Sequence, residues 1–214
     1  MNKIDTLSCE SAQLNMDYDL MQFEQLATSH LYVRVYHWTQ RGLTYSYKQS
    51  MPAPLSAIDH GQRHTGGGIV FHCPGDCLFT LCGWMNDSRF PKSMKQKMSY
   101  ITDLIQDAAD STGLNLSHHH LNKTTNYDFC HSYPNPYELF LGTHKVTAIT
   151  IRKNRDRFLI QGIIHLQNQS DYFKDYSDYT HYFTSGLSSI SQTQQHLFVT
   201  HLKTRFSTSL APAR

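Results

Sequence analysis

A chain of 214 residues, 39% hydrophobic and 17% charged, is long enough to bury a sizeable core and too apolar to remain disordered. Its formal charge of +2, with Lys and Arg scattered along the chain, argues against a nucleic-acid surface, and no apolar run approaches the length of a membrane span. The N-terminal stretch MNKIDTLSCESAQLN lacks the apolar centre of a signal peptide and the five cysteines are an odd number, so the expected setting is cytoplasmic, with reduced thiols.

No low-complexity stretch or Pro/Ser/Gly linker divides the chain, and 1–214 reads as a single domain, with 191–214 as a helical tail. Between 11 and 27, Met16, Leu20, Phe23 and Ala27 recur at steps of four, three and four beside Leu14, Tyr18 and Met21, which predicts a mostly buried helix. LYVRVYHW then alternates Leu31, Val33 and Val35 against Tyr32, Arg34 and Tyr36, a half-buried strand with LTYSY as its expected hairpin partner. Residues 50–62, with Pro52 and Pro54, read as a loop. GGGIVFH and CLFTLCGW, joined at Pro74 and Gly75, predict a β-hairpin. Met94, Met98, Ile101, Ile105 and Ala108 predict a helix over 92–109, with Lys92, Lys95 and Lys97 on its solvated face and Gly113 as its stop. After a polar, irregular 114–136 come strands in YELFL, KVTAITIRK and RFLIQGIIHL, then helical patterns at 169–182 and 193–206. Lacking a regular strand–helix alternation, the order predicts an α+β fold with a largely antiparallel or mixed sheet and packed helices.

Gly66, Gly67 and Gly68 stand together in a chain with only 11 glycines. Such a triplet serves either a tight turn into a strand or a close approach of backbone to a ligand. No Gly-Lys-Ser/Thr follows it, so it is not a phosphate-binding P-loop, and the spacing is not that of a dinucleotide fingerprint. His118, His119 and His120 lack the spacing of a metal motif, and no metal site is expected. Cys73, Cys77 and Cys82 read as small buried hydrophobes, with Cys77 and Cys82 on opposite faces of one strand. Taken alone, Lys145 is an edge-strand charge, and the adjacency of Cys130 and His131 does not bring their side chains together.

The order of these blocks, from about residue 11 to 190, resembles the lipoate-protein ligase and octanoyltransferase family, whose catalytic domain is shared with biotin-protein ligases. The residues that carry the resemblance are Arg63, Thr65, Gly66, Gly67, Gly68 and His72 in the glycine loop, Asn15, Met16 and Asp19 in the first helix, Trp38, Tyr47 and Gln49 near the first strands, and Lys145 after the Gly142 turn. It implies a tunnel in which the glycine backbone walls an acyl chain, with Arg63 steadying a phosphate and Lys145 supplying a catalytic cation to the acyl oxygen. Thr65, His72, Trp38 and Ala148 would join the substrate side. This chain departs from the family at Ser46, at Ala148, Ile149 and Thr150, at Gln161 before Gly162, and at Ser185 before Gly186.

Three functions follow from the resemblance. The first attaches lipoate or octanoate, through an acyl-adenylate made with ATP and Mg2+, to a lysine of a lipoyl carrier domain such as a 2-oxoacid dehydrogenase E2 or the glycine cleavage H protein. Many lipoate ligases carry a second, C-terminal domain, which leaves room here for an accessory subunit. The second is ATP-independent octanoyl or lipoyl transfer through Cys130, where Cys130, His131, Ser132, Tyr133 and Pro134 partly match a Cys-Phe-x-Ser-Pro pattern. The third is a catalytically impaired relative that binds an acyl chain or a protein. Biotin is a weaker substrate candidate because the glycine loop is poor in arginine. Neither nucleic acid nor membrane is an expected partner.

Overall fold

The computed structural model describes residues 4–118, 126, 128–132 and 135–211. Its centre is a four-stranded antiparallel sheet in the order β1 (Tyr32–His37), β5 (Cys77–Trp84), β9 (Arg157–Ile164), β8 (Thr147–Asn154). A second, three-stranded sheet runs β3 (Asp59–Arg63), β2 (Gly42–Ser46), β4 (Val70–His72), with β2 parallel to β3 and antiparallel to β4. A short ribbon pairs β6 (Phe140–Leu141) with β7 (His144–Lys145). The helices are α1 (Ala12–Glu24), α2 (Met94–Asp110), α3 (Gln169–Tyr172) and α4 (Gln192–Ser209). This is the expected α+β class.

The period-two rule organises the larger sheet. Val33, Val35, Cys77, Phe79, Leu81, Phe158 and Ile160 point one way into a core shared with Ile101 and Ile105 of α2 and Phe198, Leu202 and Phe206 of α4. Tyr36, Leu78 and Ile163 point the other way, toward Ala12 and Met16 of α1. Cys77 and Cys82 do lie in clusters on opposite faces, and burial raises both thiols, Cys77 to about 12.

Several connections differ from expectation. β1 and β2 form no hairpin: β1 pairs with β5, from Tyr32 opposite Cys82 to His37 opposite Cys77. β4 and β5 do not pair either; the turn at Gly75 (φ +93°) passes the chain from one sheet to the other. β5 is apolar on both faces and therefore takes a central place between β1 and β9, which leaves β2 and β4 to pair with each other. The expected loop at 50–62 contains a 3-10 turn (Ala53–Leu55) and most of β3, and the pattern at 169–182 yields only α3 and a 3-10 turn (Ser177–Tyr182). α2 is capped by a Ser93–Gln96 capping box and followed by Gly113 at φ +71°. Lys97 is not on its solvated face: fully buried, it donates to the carbonyls of Pro91 (2.7 Å) and Met85 (3.3 Å) and lies over the rings of Phe90 and Phe158.

α1 is buried on one face only, Leu14 and Met21 being exposed, and that face is partly polar. Asp19 accepts from Arg34 Nη1 (2.7 Å), Thr80 Oγ1 (2.6 Å) and Gln161 Nε2 (2.8 Å), while Asn15 Oδ1 accepts from Arg34 Nη2 (2.6 Å). Arg34 and Asp19 are at 0% and 1% exposure, so removing one partner leaves a buried charge uncompensated. Arg34→Ala is expected to cost about 3–5 kcal/mol in urea denaturation. A loss under about 1 kcal/mol would instead mean that Asp19, whose carboxyl burial raises against the pull of Arg34, already folds protonated.

Candidate active site

Between the two sheets and α1 lies a cavity of about 190 Å³. Its apolar wall includes Met16, Val70, Leu78, Ala148, Ile149 and Ile163, and its polar lining includes Thr44, Arg63, His72, Cys130 and Gln161. It is larger than the void of roughly 150 Å³ that admits benzene, and so suits a small acyl chain.

The three glycines divide their work. Gly66 and Gly67 line the cavity. Gly67 sits at φ +92°, where side chains are strained, and a Cβ on Gly66 would meet nothing within 4 Å. At Gly68 a Cβ would stand 2.6 Å from the amide nitrogen of Cys130 and 2.7 Å from the carbonyl carbon of Phe129. This third glycine therefore admits the chain's own backbone: Ile69 N–H donates to Asp128 O (2.7 Å) and Cys130 N–H to Ile69 O (3.0 Å).

Arg63 is spent on the same loop. Its guanidinium donates to Thr44 Oγ1 (2.6 Å), Gly68 O (2.6 Å) and Gly66 O (3.3 Å). Thr65 is buried and donates to Gln161 Oε1 (2.9 Å), tying the loop to the Asp19 network, and Thr150 Oγ1 donates to Gly66 O (3.2 Å). Thr44 Oγ1, which accepts from Arg63, also hydrogen-bonds His72 Nε2 (2.8 Å). Burial, then the charges of His165 and Arg63, hold His72 well below its ordinary range. Trp38 stacks on His72 at 4.4 Å, and His72 Nδ1, Trp38 Nε1 and the Tyr36 hydroxyl are buried without a hydrogen-bond partner among the described residues.

Cys130 opens a 3-10 turn (Cys130–Ser132) and lines the cavity. Lys145 stands one step back, 3% exposed, its Nζ donating to Cys130 O (2.7 Å) and ion-paired with Glu138 Oε2 (2.5 Å). The other oxygen of Glu138 accepts from Cys130 Sγ at 3.7 Å. Burial raises the thiol to about 11, opposed by Lys145 and reinforced by Glu138. Burial likewise raises the Glu138 carboxyl to about 7 despite the adjacent ammonium of Lys145.

His131 is no partner for Cys130. Its Nδ1 faces Tyr182 O (3.0 Å) and must carry hydrogen, so Nε2 accepts from His165 Nε2 (3.0 Å), and both ring nitrogens are taken. Glu138 is the residue that sequence reasoning passed over. Its signal was a lone acid inside the apolar run YELFL, of which only Phe140–Leu141 forms a strand. Asp19 carried a similar signal, three residues from Met16 on the buried stripe of α1. Among the described residues no cluster of three His, Cys, Asp or Glu could hold a metal ion. His118 is exposed; His119, His120, Tyr133 and Pro134 lie outside the described residues.

The crystal structure of a lipoate-protein ligase A bound with ATP matches at TM-score 0.77 and 15% identity, covering 98% of this chain and 85% of that one. A Thermoplasma acidophilum protein with bound lipoic acid matches at 0.71 and 15%, covering 98% and 86%. A bi-partite lipoate protein ligase from the same organism, described together with its E2 lipoyl domain, matches at 0.69 and 15%, covering 98% and 83%. At these identities the likeness is one of fold. No curated protein sequence matches the chain. The lipoyl protein ligase A/B catalytic domain, however, matches residues 54–211, which include the glycine loop, Cys130, Glu138 and Lys145, and on that match the chain belongs to the lipoyl protein ligase A/B catalytic domain family.

Proposed function

We propose that this protein transfers a lipoyl or octanoyl group to a lysine of a lipoyl carrier domain, and that the acyl group passes through Cys130. The observation that carries this reading is a thiol on the wall of an apolar cavity, beside a carboxyl and an ammonium group. Each methylene buried contributes about 0.8 kcal/mol, several kcal/mol for an eight-carbon chain, so the cavity supplies binding while the chemistry belongs to the Cys130 corner. A thioester donor brings its carbonyl already activated and needs only a nucleophile and a place for developing negative charge. The Tyr36 hydroxyl, without a partner among the described residues, is a donor available to an acyl oxygen. Ala148 lines the cavity without filling it, and Gln161 is hydrogen-bonded on both sides, so neither departure from the family removes the site.

A second reading, activation of the free acid by ATP and Mg2+, is favoured by a groove of about 720 Å³ on Gly66 and Gly67, bordered by Tyr47, Lys48, Arg152 and Lys153. There the basic side chains would hold phosphate, and Lys145 would face the acyl oxygen. The engagement of Arg63 with the loop carbonyls counts against it as a phosphate ligand. In both readings the acceptor is a lipoyl domain, the kind of partner that accompanies the T. acidophilum ligase, and the bi-partite form of that enzyme supports an accessory subunit here too. Residues 1–214 would then act as one catalytic unit.

Cys130→Ala separates the readings. Assayed by acceptor mass with an octanoyl-carrier thioester and no ATP, the variant is expected to lose transfer, whereas the adenylate route, run with octanoate or lipoate plus ATP and Mg2+, would tolerate it. A variant that still transfers from the thioester contradicts the Cys130 route.

The glycines give a second test. Gly66→Ala is expected to melt like the unaltered protein but bind octanoate more weakly, because its methyl enters open space. Gly68→Ala is expected to lose about 1–3 kcal/mol of stability, because its methyl collides with the backbone of Phe129 and Cys130. Equal melting temperatures for the two variants would contradict this division.

A further inference from the structure

The groove on the outer side of the glycine loop follows the edge of a strand. Ile151, Arg152 and Lys153 are consecutive on β8, yet all three line it. Neighbouring residues on a strand point to opposite faces, so a groove that touches three in a row runs along the backbone edge and not across one face. β8 is the last strand of its sheet, and among the described residues no strand pairs with its outer edge. Across from it the rim continues through Tyr47 and Lys48, and the exposed Tyr47 ring lies 5.4 Å from the Arg152 guanidinium and 5.5 Å from the Lys48 ammonium. One exposed carboxylate joins the three cations of the lining: Asp128, two residues before Cys130, whose carbonyl accepts from Gln49 Nε2 (3.0 Å). Gly66 and Gly67 line both this groove and the acyl cavity, so at that point the wall between the two is bare backbone.

We propose that this groove is the docking site of the acceptor protein, and that it takes an extended, lysine-bearing segment flanked by carboxylates. The assignment rests on the reading that Cys130 carries the acyl group, under which the groove has no nucleotide to hold. One carboxylate among three cations is the complement of one ammonium among carboxylates: Asp128 attracts the acceptor amine, and Lys48, Arg152 and Lys153 attract the acids beside it. The open edge of β8 offers backbone N–H and C=O groups to a strand laid along it, while its cations discourage apolar or basic strands from pairing there. Tyr47 supplies an exposed aromatic anchor of the kind that dominates interface energetics. Because groove and cavity share Gly66 and Gly67, a lysine drawn to Asp128 reaches the Cys130 side across main chain alone, a passage that suits a slender, unbranched side chain.

The test reads binding apart from transfer. A fluorescently labelled lipoyl domain with its acceptor lysine in place is titrated with the protein, without acyl donor or ATP, over a series of salt concentrations. Affinity is expected to fall as salt rises, because exposed charges are screened. The double variant Lys48→Glu with Lys153→Glu is expected to raise Kd about tenfold or more. Both lysines are exposed, so this variant is expected to melt like the unaltered protein. Exchanging the carboxylates that flank the acceptor lysine for lysines is expected to weaken binding to the unaltered protein and to restore it to the double variant. A double variant that binds the domain as tightly as the unaltered protein overturns the docking site, as does an unaltered protein that does not bind the domain at low salt. Loss of ATP binding in the double variant with domain binding intact also overturns it and makes the groove a phosphate site. Transfer that requires ATP and survives Cys130→Ala overturns the underlying reading instead, and is told apart because it is read from acceptor mass and not from binding.

Discussion

The site depends on how closely two stretches of main chain approach each other at Gly68. A bare α-carbon there lets the backbone of 128–130 pass within hydrogen-bonding distance of Ile69, and this contact places Cys130 against the cavity. Ser132 reinforces it by donating to the carbonyls of Phe129 and Asn126, and Phe129 is stacked on Tyr182 at 3.9 Å. From this position the carbonyl of Cys130 reaches Lys145 and its thiol reaches Glu138. One glycine thus sets the geometry of three functional groups.

Two buried ion pairs flank the cavity. Arg34 and Asp19 belong to a network that includes Asn15, Thr80, Gln161 and Thr65, which holds α1 on the large sheet and reaches the glycine loop. Lys145 and Glu138 lie beside Cys130, and burial raises the Glu138 carboxyl to about 7, just as burial raises that of Asp19. In each pair the desolvation of the carboxyl outweighs the pull of its cation. The same logic explains the inert histidines: His72 and His131 are buried with neighbours that oppose their charge, and both stay neutral.

Much of this was legible in the amino-acid order. Periodicity located α1, α2, α4 and the long strands, and the glycine triplet and Lys145 pointed to the family before any geometry was considered. Strand pairing was not legible, because alternation along LYVRVYHW states which side is buried and nothing about the neighbour; the apolar continuity of β5 was the better guide to the centre of the sheet. Lys97 was misjudged because a long cation reads as solvated until carbonyls are found to enclose it. The separate duties of Gly66 and Gly68 could not be read from a string of identical letters, because they depend on a segment some sixty residues downstream.

The most direct test of the account is intact-protein and peptide mass spectrometry after brief mixing with an octanoyl-carrier thioester, without ATP and without acceptor. The account predicts one octanoyl group on the Cys130 peptide, removed by hydroxylamine and passed to a lipoyl domain when that is added. Absence of any Cys130 adduct, together with acceptor modification only when free acid, ATP and Mg2+ are supplied, would contradict it.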